Sequence, residues 1–298
     1  MILQNMSAQQ TMRKFSICIS WLILLWIPSI PAYPGTKELA ITFDDLPAAL
    51  VPGHADQLKT NQRILDVLDK YQIKATGFVI SNEANGKTDI LELWLKHGHD
   101  LGNHTYSHLD FDQVDISTYE RDIIKGAYVI EKLLRDYKRR LTYFRFPYLH
   151  TGRNSEKGEE IRKFLKESCY TIAPVTIDPY DWEYNYQYVR AWRSNNKREQ
   201  ILSAYLGQIR IATAEAENLF WERFGRNIRQ VLLVHLNRIN AEVLDKIVEY
   251  YFTSGYSFIS LEEALQDSAY SPEGELVKFE NLTWQIKPDL GLFQKQLK

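Results

Sequence analysis

The chain has 298 residues, 45% of them hydrophobic, with 36 Lys and Arg against 38 Asp and Glu and a formal net charge of -2. That length and apolar content support a sizeable folded core and exclude a disordered or fibrous chain. A near-neutral balance without a basic block excludes nucleic acid as a partner.

At the start, Arg13 and Lys14 precede an apolar run from Phe15 to Ile27, and Pro28, Ser29, Pro31, Ala32 and Pro34 follow. This is the layout of a secretory signal peptide over residues 1–32, cleaved near Ala32 or Tyr33, and it predicts export to a periplasmic or extracellular location. The residues preceding Met12 do not share the layout, which makes Met12 a candidate start. Stretched toward the roughly 20 residues of a spanning helix, the same run reads as an uncleaved anchor that associates with a membrane; a buried core helix is the third reading. Removing residues 1–32 leaves 34 basic against 38 acidic residues, a net charge of -4, and Cys169 as the one remaining cysteine. An exported protein with one cysteine has no internal disulfide. Cys169, beside Tyr170 and Ile172, reads as a buried thiol that packs rather than reacts.

From residue 38 onward, short β-rich runs alternate with amphipathic segments. Strands are predicted at Glu38–Phe43, Ala75–Ile80, Thr142–Phe146, Tyr170–Thr176, Gln230–His235 and Ser257–Ile259. Helices are predicted at Gln57–Tyr71, Ile90–Lys96, Ser117–Tyr137, Glu159–Glu167 and Ala241–Thr253. Ser254-Gly255 supplies a helix stop, and Ser260 with Glu263 fits a capping box that opens a last short helix. This alternation implies an α/β fold with a mainly parallel sheet, open or closed into a barrel. Residues 183–229 break the rhythm with a polar, aromatic-rich, helical stretch that reads as an insertion. Residues 267–298, with Pro272, Gly274 and Pro288, read as an irregular tail.

Polar residues cluster just past the predicted strand ends. Thr42-Phe43-Asp44-Asp45 carries an apolar strand straight into two adjacent carboxylates, at the strand end where α/β folds build their sites. Alone, such a pair is equally well explained by turn or capping chemistry. Further on, His104 and His108 are four apart in Gly98–His108, which on a helical turn puts both imidazoles on one face. Two imidazoles and one carboxylate are the ligand set of a catalytic zinc site with a position left open for water. His99 reads as a capping or packing residue, and His97 and His54 as surface residues.

Five segments in order then resemble the motifs of the polysaccharide deacetylases with a NodB-homology domain, carbohydrate esterase family 4. They are Thr42–Asp45, His104–His108, Arg145-Phe146-Pro147-Tyr148, Asp178–Trp182 and Leu233-Val234-His235, and the resemblance spans residues 37–266. It implies a distorted (β/α) barrel with the 183–229 segment inserted. It also implies hydrolysis of N-acetyl groups on a polysaccharide such as peptidoglycan, a chitin-like polymer or an exopolysaccharide. Asp45, His104 and His108 would hold a divalent metal, zinc being usual in the family, with cobalt, nickel or iron compatible with the same N and O donors. Asp44 would be the general base, fixed by Arg145, and His235 the general acid. Asp181 would support His235 or Arg145, with Asp178 as the alternative and otherwise a substrate-side residue. Tyr148 would offer its backbone N–H to the oxyanion, and Trp182 and Leu233 would line the pocket for the acetyl methyl and sugar, although Leu233 also reads as core.

Departures from the family pattern bear on the substrate. Leu46-Pro47 stands where glycine usually follows Asp45, which predicts a bulkier side chain beside the metal loop and a narrower sugar site. Leu236 stands where an aspartate often follows the histidine, so the partner of His235 must come from elsewhere. Three rival functions share parts of this pattern. They are an O-acetyl esterase on xylan, a non-haem iron oxygenase with the same ligand set, and a silent sugar-binding module.

Overall fold

The computed structural model describes residues 37–48, 50–152 and 156–271. The signal-peptide reading of residues 1–32 and most of the tail lie outside the described residues. Strand β1, Lys37–Leu46, is buried continuously from Leu39 to Asp44, as expected where both faces of a strand are covered. It pairs in parallel with β2 (Thr76–Val79) on one side and β6 (Gln230–His235) on the other, and its first residues pair with β7 (Tyr256–Phe258). Outward from β2 follow β3 (Asp100–Asn103), β4 (Tyr143–Phe144) and β5 (Thr171–Ile172), all parallel, giving the order β5-β4-β3-β2-β1-β6. Beyond β5 the chain turns back. Ile177 bridges to Leu232, its carbonyl accepting from the Leu233 amide at 3.0 Å, and this brings the chain after β5 back to β6. The α/β distorted barrel is therefore closed by two residues rather than by a full strand.

Alternation along β1 separates two interiors. Leu39, Ile41 and Phe43 join the large cluster under helices α1 (His54–Lys70), α2 (Thr88–Lys96) and α7 (Arg238–Thr253). Ala40 faces the other way, with Phe78, Ala173 and Val231, and Leu261 and Ala264 of α8 (Leu261–Ala264) pack onto the same cluster. The predicted capping box opens α8: the Ser260 hydroxyl accepts from the Glu263 amide at 3.2 Å, and the Ser260 amide donates to Glu263 Oε2 at 2.8 Å. Helices α3 (Ile116–Asp136) and α4 (Glu156–Glu167) cover the β3–β5 side. The aromatic-rich stretch forms α5 (Asp181–Arg190) and α6 (Asn195–Phe224), which pack on α7 through Tyr184, Tyr188, Tyr205, Ile209 and Phe220.

The structure corrects four expectations. Strand β3 lies in the middle of the sheet, yet its sequence Asp-Leu-Gly-Asn reads as loop; its identity comes from its neighbours, since a Cβ on Gly102 would collide with the Phe78 ring. His104 and His108 are not on a helical turn: Thr105 and His108 take positive φ of 66° and 57°, and the loop is pinned by Asp122 of α3, whose Oδ2 accepts from the Tyr106 and Ser107 amides. Cys169 is exposed, because it takes the left-handed turn after α4 (φ 61°) instead of entering a strand. Leu46 is fully buried in the main cluster, close against Gly77, so it does not narrow any sugar site.

Replacing Gly102 with Ala is expected to force the Phe78 ring aside and press on the Tyr143 carbonyl at 3.2 Å. The expected cost is about 1–3 kcal/mol, read as a lower urea midpoint at unchanged slope. A midpoint equal to that of the unaltered protein would contradict this packing.

Candidate active site

Because every strand is parallel, their carboxyl ends share one rim, and the sequence-predicted residues meet there. Asp44 and Asp45 end β1, His104 follows β3, Arg145 follows β4, Asp178 and Asp181 follow the closing bridge, and His235 ends β6. Asp44 and His235 are direct register partners across the β1–β6 pair. Asp45 takes φ 64°, which turns its carboxylate away from that of its neighbour.

The donor atoms of Asp45, His104 and His108 all lie within 4.8 Å of one another. Asp45 Oδ1 is 3.4 Å from His108 Nε2 and 3.7 Å from His104 Nε2. His104 Nδ1 donates to the Arg145 carbonyl at 2.8 Å, which leaves Nε2 as the lone-pair nitrogen. Burial pushes the His104 imidazole down to about 3 and that of His108 to about 4, so both are neutral, as ligation requires. Asp45 Oδ1 is buried with no hydrogen-bond partner. An orphaned carboxylate oxygen beside two neutral imidazoles fits a divalent cation.

Arg145 is 1% exposed and fully engaged. Its Nε donates to the Ala173 carbonyl at 2.9 Å, Nη2 to Thr42 Oγ1 at 3.1 Å and to the Pro174 carbonyl at 3.3 Å, and Nη1 to both Asp44 oxygens at 3.4 and 3.5 Å. The guanidinium also lies 4.6 Å over the Phe78 ring. Burial pushes the Asp44 carboxyl above its ordinary range, and the charges of Arg145, His235 and His108 oppose that push.

Across the rim, Asp181 belongs to His235 and not to Arg145. His235 Nδ1 lies 2.7 Å from Asp181 Oδ1, and the His235 amide donates to Oδ2 at 2.9 Å. Sequence reasoning missed the rest of this support. Asn237 Nδ2 and Asn240 Nδ2 donate to Asp181 Oδ2 at 2.6 and 2.5 Å, and Tyr205 of α6 donates to Asn240 Oδ1 at 2.7 Å. The signal was present in Asn237, an N-cap whose side chain accepts from the Asn240 amide, four residues ahead of the helix start predicted at Ala241. Burial lowers the His235 pKa, but the Asp181 charge and hydrogen bond, then the Asp45 and Asp44 charges, outweigh it and lift the imidazole to about 10. A cation on Asp45 would offset part of that lift.

The four predicted substrate-side residues differ in setting. Tyr148 is 52% exposed with its ring 4.6 Å from that of His108, and its φ is 57°. Trp182 is 46% exposed at the first turn of α5. Leu233 is buried on the same face of β6 as His235. Asp178 accepts from the Tyr180 amide at 2.9 Å, and burial pushes its carboxyl up to about 6. Near Tyr148, Asp110, Asp112 and His150 also bring donor atoms within 4.8 Å of one another, but Asp110 already caps the turn at Phe111 and pairs with His150 Nδ1 at 2.7 Å. That group reads as structural.

A curled parallel sheet with this carboxylate–imidazole cluster at its carboxyl rim defines an α/β domain of the deacetylase type. Residues 32–166 match the family model described as polysaccharide deacetylase. Over those residues the chain is similar to the polysaccharide deacetylase family, and its fold is that of a solved deacetylase structure. It is 30% identical over 168 residues to a peptidoglycan-N-acetylglucosamine deacetylase of Bacillus cereus, covering 55% of this chain and 54% of that protein. The chain thus spans about half the length of that relative. The structure of peptidoglycan deacetylase PdaC from Bacillus subtilis superposes with a TM-score of 0.53 at 23% identity, over 86% of this chain and 100% of that one. A family pseudoenzyme from Bacillus anthracis gives 0.54 at 18% identity, over 78% and 67%. At such identities the likeness shows the fold alone, and the chemistry must be argued from side chains.

Asp181→Asn is expected to lower the His235 titration from about 10 in metal-free protein, since the largest opposing charge and its hydrogen bond are removed while burial remains. The sign carries into stability. A histidine with a raised folded pKa stabilises fully below 6.5 and loses that contribution as pH climbs toward 10, so the variant should lose this slope. Imidazole proton NMR measures the first effect and urea unfolding against pH the second; an unmoved titration would remove Asp181 from this role.

Proposed function

We propose that the protein is an exported, divalent-metal-dependent hydrolase that removes N-acetyl groups from a polysaccharide built on N-acetylglucosamine, peptidoglycan first among the candidates. The observation that carries this reading is the opposition of two pairs on register-matched strands. A carboxylate buttressed by a guanidinium, Asp44 with Arg145, faces an imidazole buttressed by a carboxylate, His235 with Asp181, with the Asp45–His104–His108 cluster beside them. One pair is built to take a proton and the other to give one. The name of the Bacillus cereus relative supports the glycan class.

When bound by Asp45, His104 and His108, a divalent cation supplies Lewis acidity to the acetyl carbonyl and the attacking water, zinc being the first candidate. Asp44 accepts a proton from that water while Arg145 holds the carboxylate in direction. The water oxygen bonds to the carbonyl carbon, the carbon–nitrogen bond breaks, and His235 Nε2 passes its proton to the departing amine. Asp181 stabilises the imidazolium through Nδ1. Tyr148 offers its backbone N–H to the developing oxyanion, and Trp182 and Leu233 supply apolar walls for the methyl group. The pseudoenzyme neighbour marks the competing reading, a sugar-binding module without turnover, and the presence of base, ligands and acid together favours catalysis. Export rests on the Arg13-Lys14 and Phe15–Ile27 pattern. Among the described residues, no helix is long and apolar enough to cross a membrane.

Asp44→Ala is expected to keep its metal by elemental analysis and to lose acetate release from N-acetylated glycan by about 10²- to 10⁴-fold. His104→Ala should lose both metal and activity. Undiminished acetate release by Asp44→Ala would overturn the assignment of the base.

A further inference from the structure

We propose that the exposed face of α5 is a glycan-binding track that carries the sugars flanking the one being deacetylated. This rests on the glycan reading above. Helix α5 buries Asp181, Tyr184, Asn185 and Tyr188, and an exposed flank beside that face carries Trp182, Tyr186 and Val189 at i, i+4 and i+7, with Trp192 just past the helix end. These four residues are 46%, 57%, 40% and 65% exposed. A solvated helix face ordinarily carries charge, so a row of large rings there needs a different account.

Position supplies it. The first residue of α5 is Asp181, the partner of His235, and the row begins at the next residue. At about 1.5 Å per residue the helical part from Trp182 to Val189 spans about 10 Å, with Trp192 beyond it, room for more than one sugar ring in line. Two of the rings are also held in place. Arg190 Nη1 donates to the Tyr186 hydroxyl at 2.9 Å with its guanidinium 5.2 Å from the ring centre, and Arg193 lies 4.5 Å over Trp192. Preset rings lose little entropy on binding, and the guanidinium donors stand ready for sugar hydroxyls. The row is one residue wide and flanked by Glu183, Gln187 and Arg190, the first two paired at 3.0 Å. A single sugar chain, with apolar ring faces and polar edges, fits that strip; a protein partner needs a broad apolar patch.

The test compares acetate release from a dimer and a hexamer of β-1,4-linked N-acetylglucosamine. Tyr186→Ala and Trp192→Ala are each expected to raise KM for the hexamer about three- to tenfold and to leave the dimer constants unchanged. Tyr186→Phe, which keeps the ring, should retain most hexamer affinity. Tyr128→Ala, an exposed ring on α3, is the control and should change neither. Equal hexamer constants in the Tyr186, Trp192 and unaltered proteins would overturn the track while leaving the deacetylase reading intact. If the unaltered protein releases no acetate from either oligomer, the deacetylase reading fails and calorimetric titration with the hexamer decides the track alone. Weaker binding by the Tyr186→Ala, Trp192→Ala double variant would then support it, and equal or absent binding would overturn it.

Discussion

A single buried guanidinium ties the base, a metal-ligand candidate and the closing segment of the sheet together. Arg145 is almost wholly withdrawn from water, and a buried cation is tolerable only where its donors and its charge are both met. Its backbone carbonyl sets the tautomer of His104, its Nη1 sits on Asp44, and its remaining donors go to Thr42 of β1 and to the Ala173 and Pro174 carbonyls where the chain turns to close the sheet. A change at this residue therefore disturbs a metal ligand, the base and the barrel closure at once. The guanidinium also spans from β1 to the segment that follows the short strand β5.

The acid side is built on different material. Asp181 gathers four donors, from the His235 amide and ring, Asn237 and Asn240, and Tyr205 fixes the Asn240 amide from α6. Asp181 heads α5 and Tyr205 lies on α6, so the stretch that reads as an insertion also braces the acid. The carboxylate, saturated with donors, holds its charge, and that charge holds the proton on His235. Base and acid thus draw on separate hydrogen-bond networks, joined mainly by the β1–β6 register.

The legible and illegible parts of the sequence divide along physical lines. Strands β1 and β6 announce themselves because long apolar runs end abruptly in Asp44-Asp45 and His235. Local chemistry also made the Ser260–Glu263 capping box readable. Strand β3 is invisible because four residues with a glycine have no pattern of their own, and Phe78 makes glycine necessary from across the sheet. The imidazole pair could be named from spacing, but not its geometry, which comes from positive φ values and Asp122 of α3. The burial of Leu46 is not legible in the sequence because its direction depends on the backbone turn at Asp45. Asn240 and Tyr205 became functional only through contacts 35 or more residues away in the chain.

Positive φ at non-glycine residues costs about 1–3 kcal/mol each and persists only where neighbours enforce it. In this fold several such residues fall on the rim: Asp45, Thr105, His108, Tyr148 and Tyr180. Four of them are locked nearby. The Asp45 carbonyl accepts from the Ala48 amide at 2.8 Å, Thr105 receives the Asn103 side-chain carbonyl on its amide at 2.9 Å, and its hydroxyl accepts from the His108 amide at 3.0 Å. Asp178 does the same for Tyr180. Regular strands and helices would send adjacent side chains to opposite faces or around a cylinder; neither lets Asp44 serve one task and Asp45 another within the same few ångströms. The strained turns resolve that conflict, and the buried arginine and the saturated aspartate keep them from relaxing.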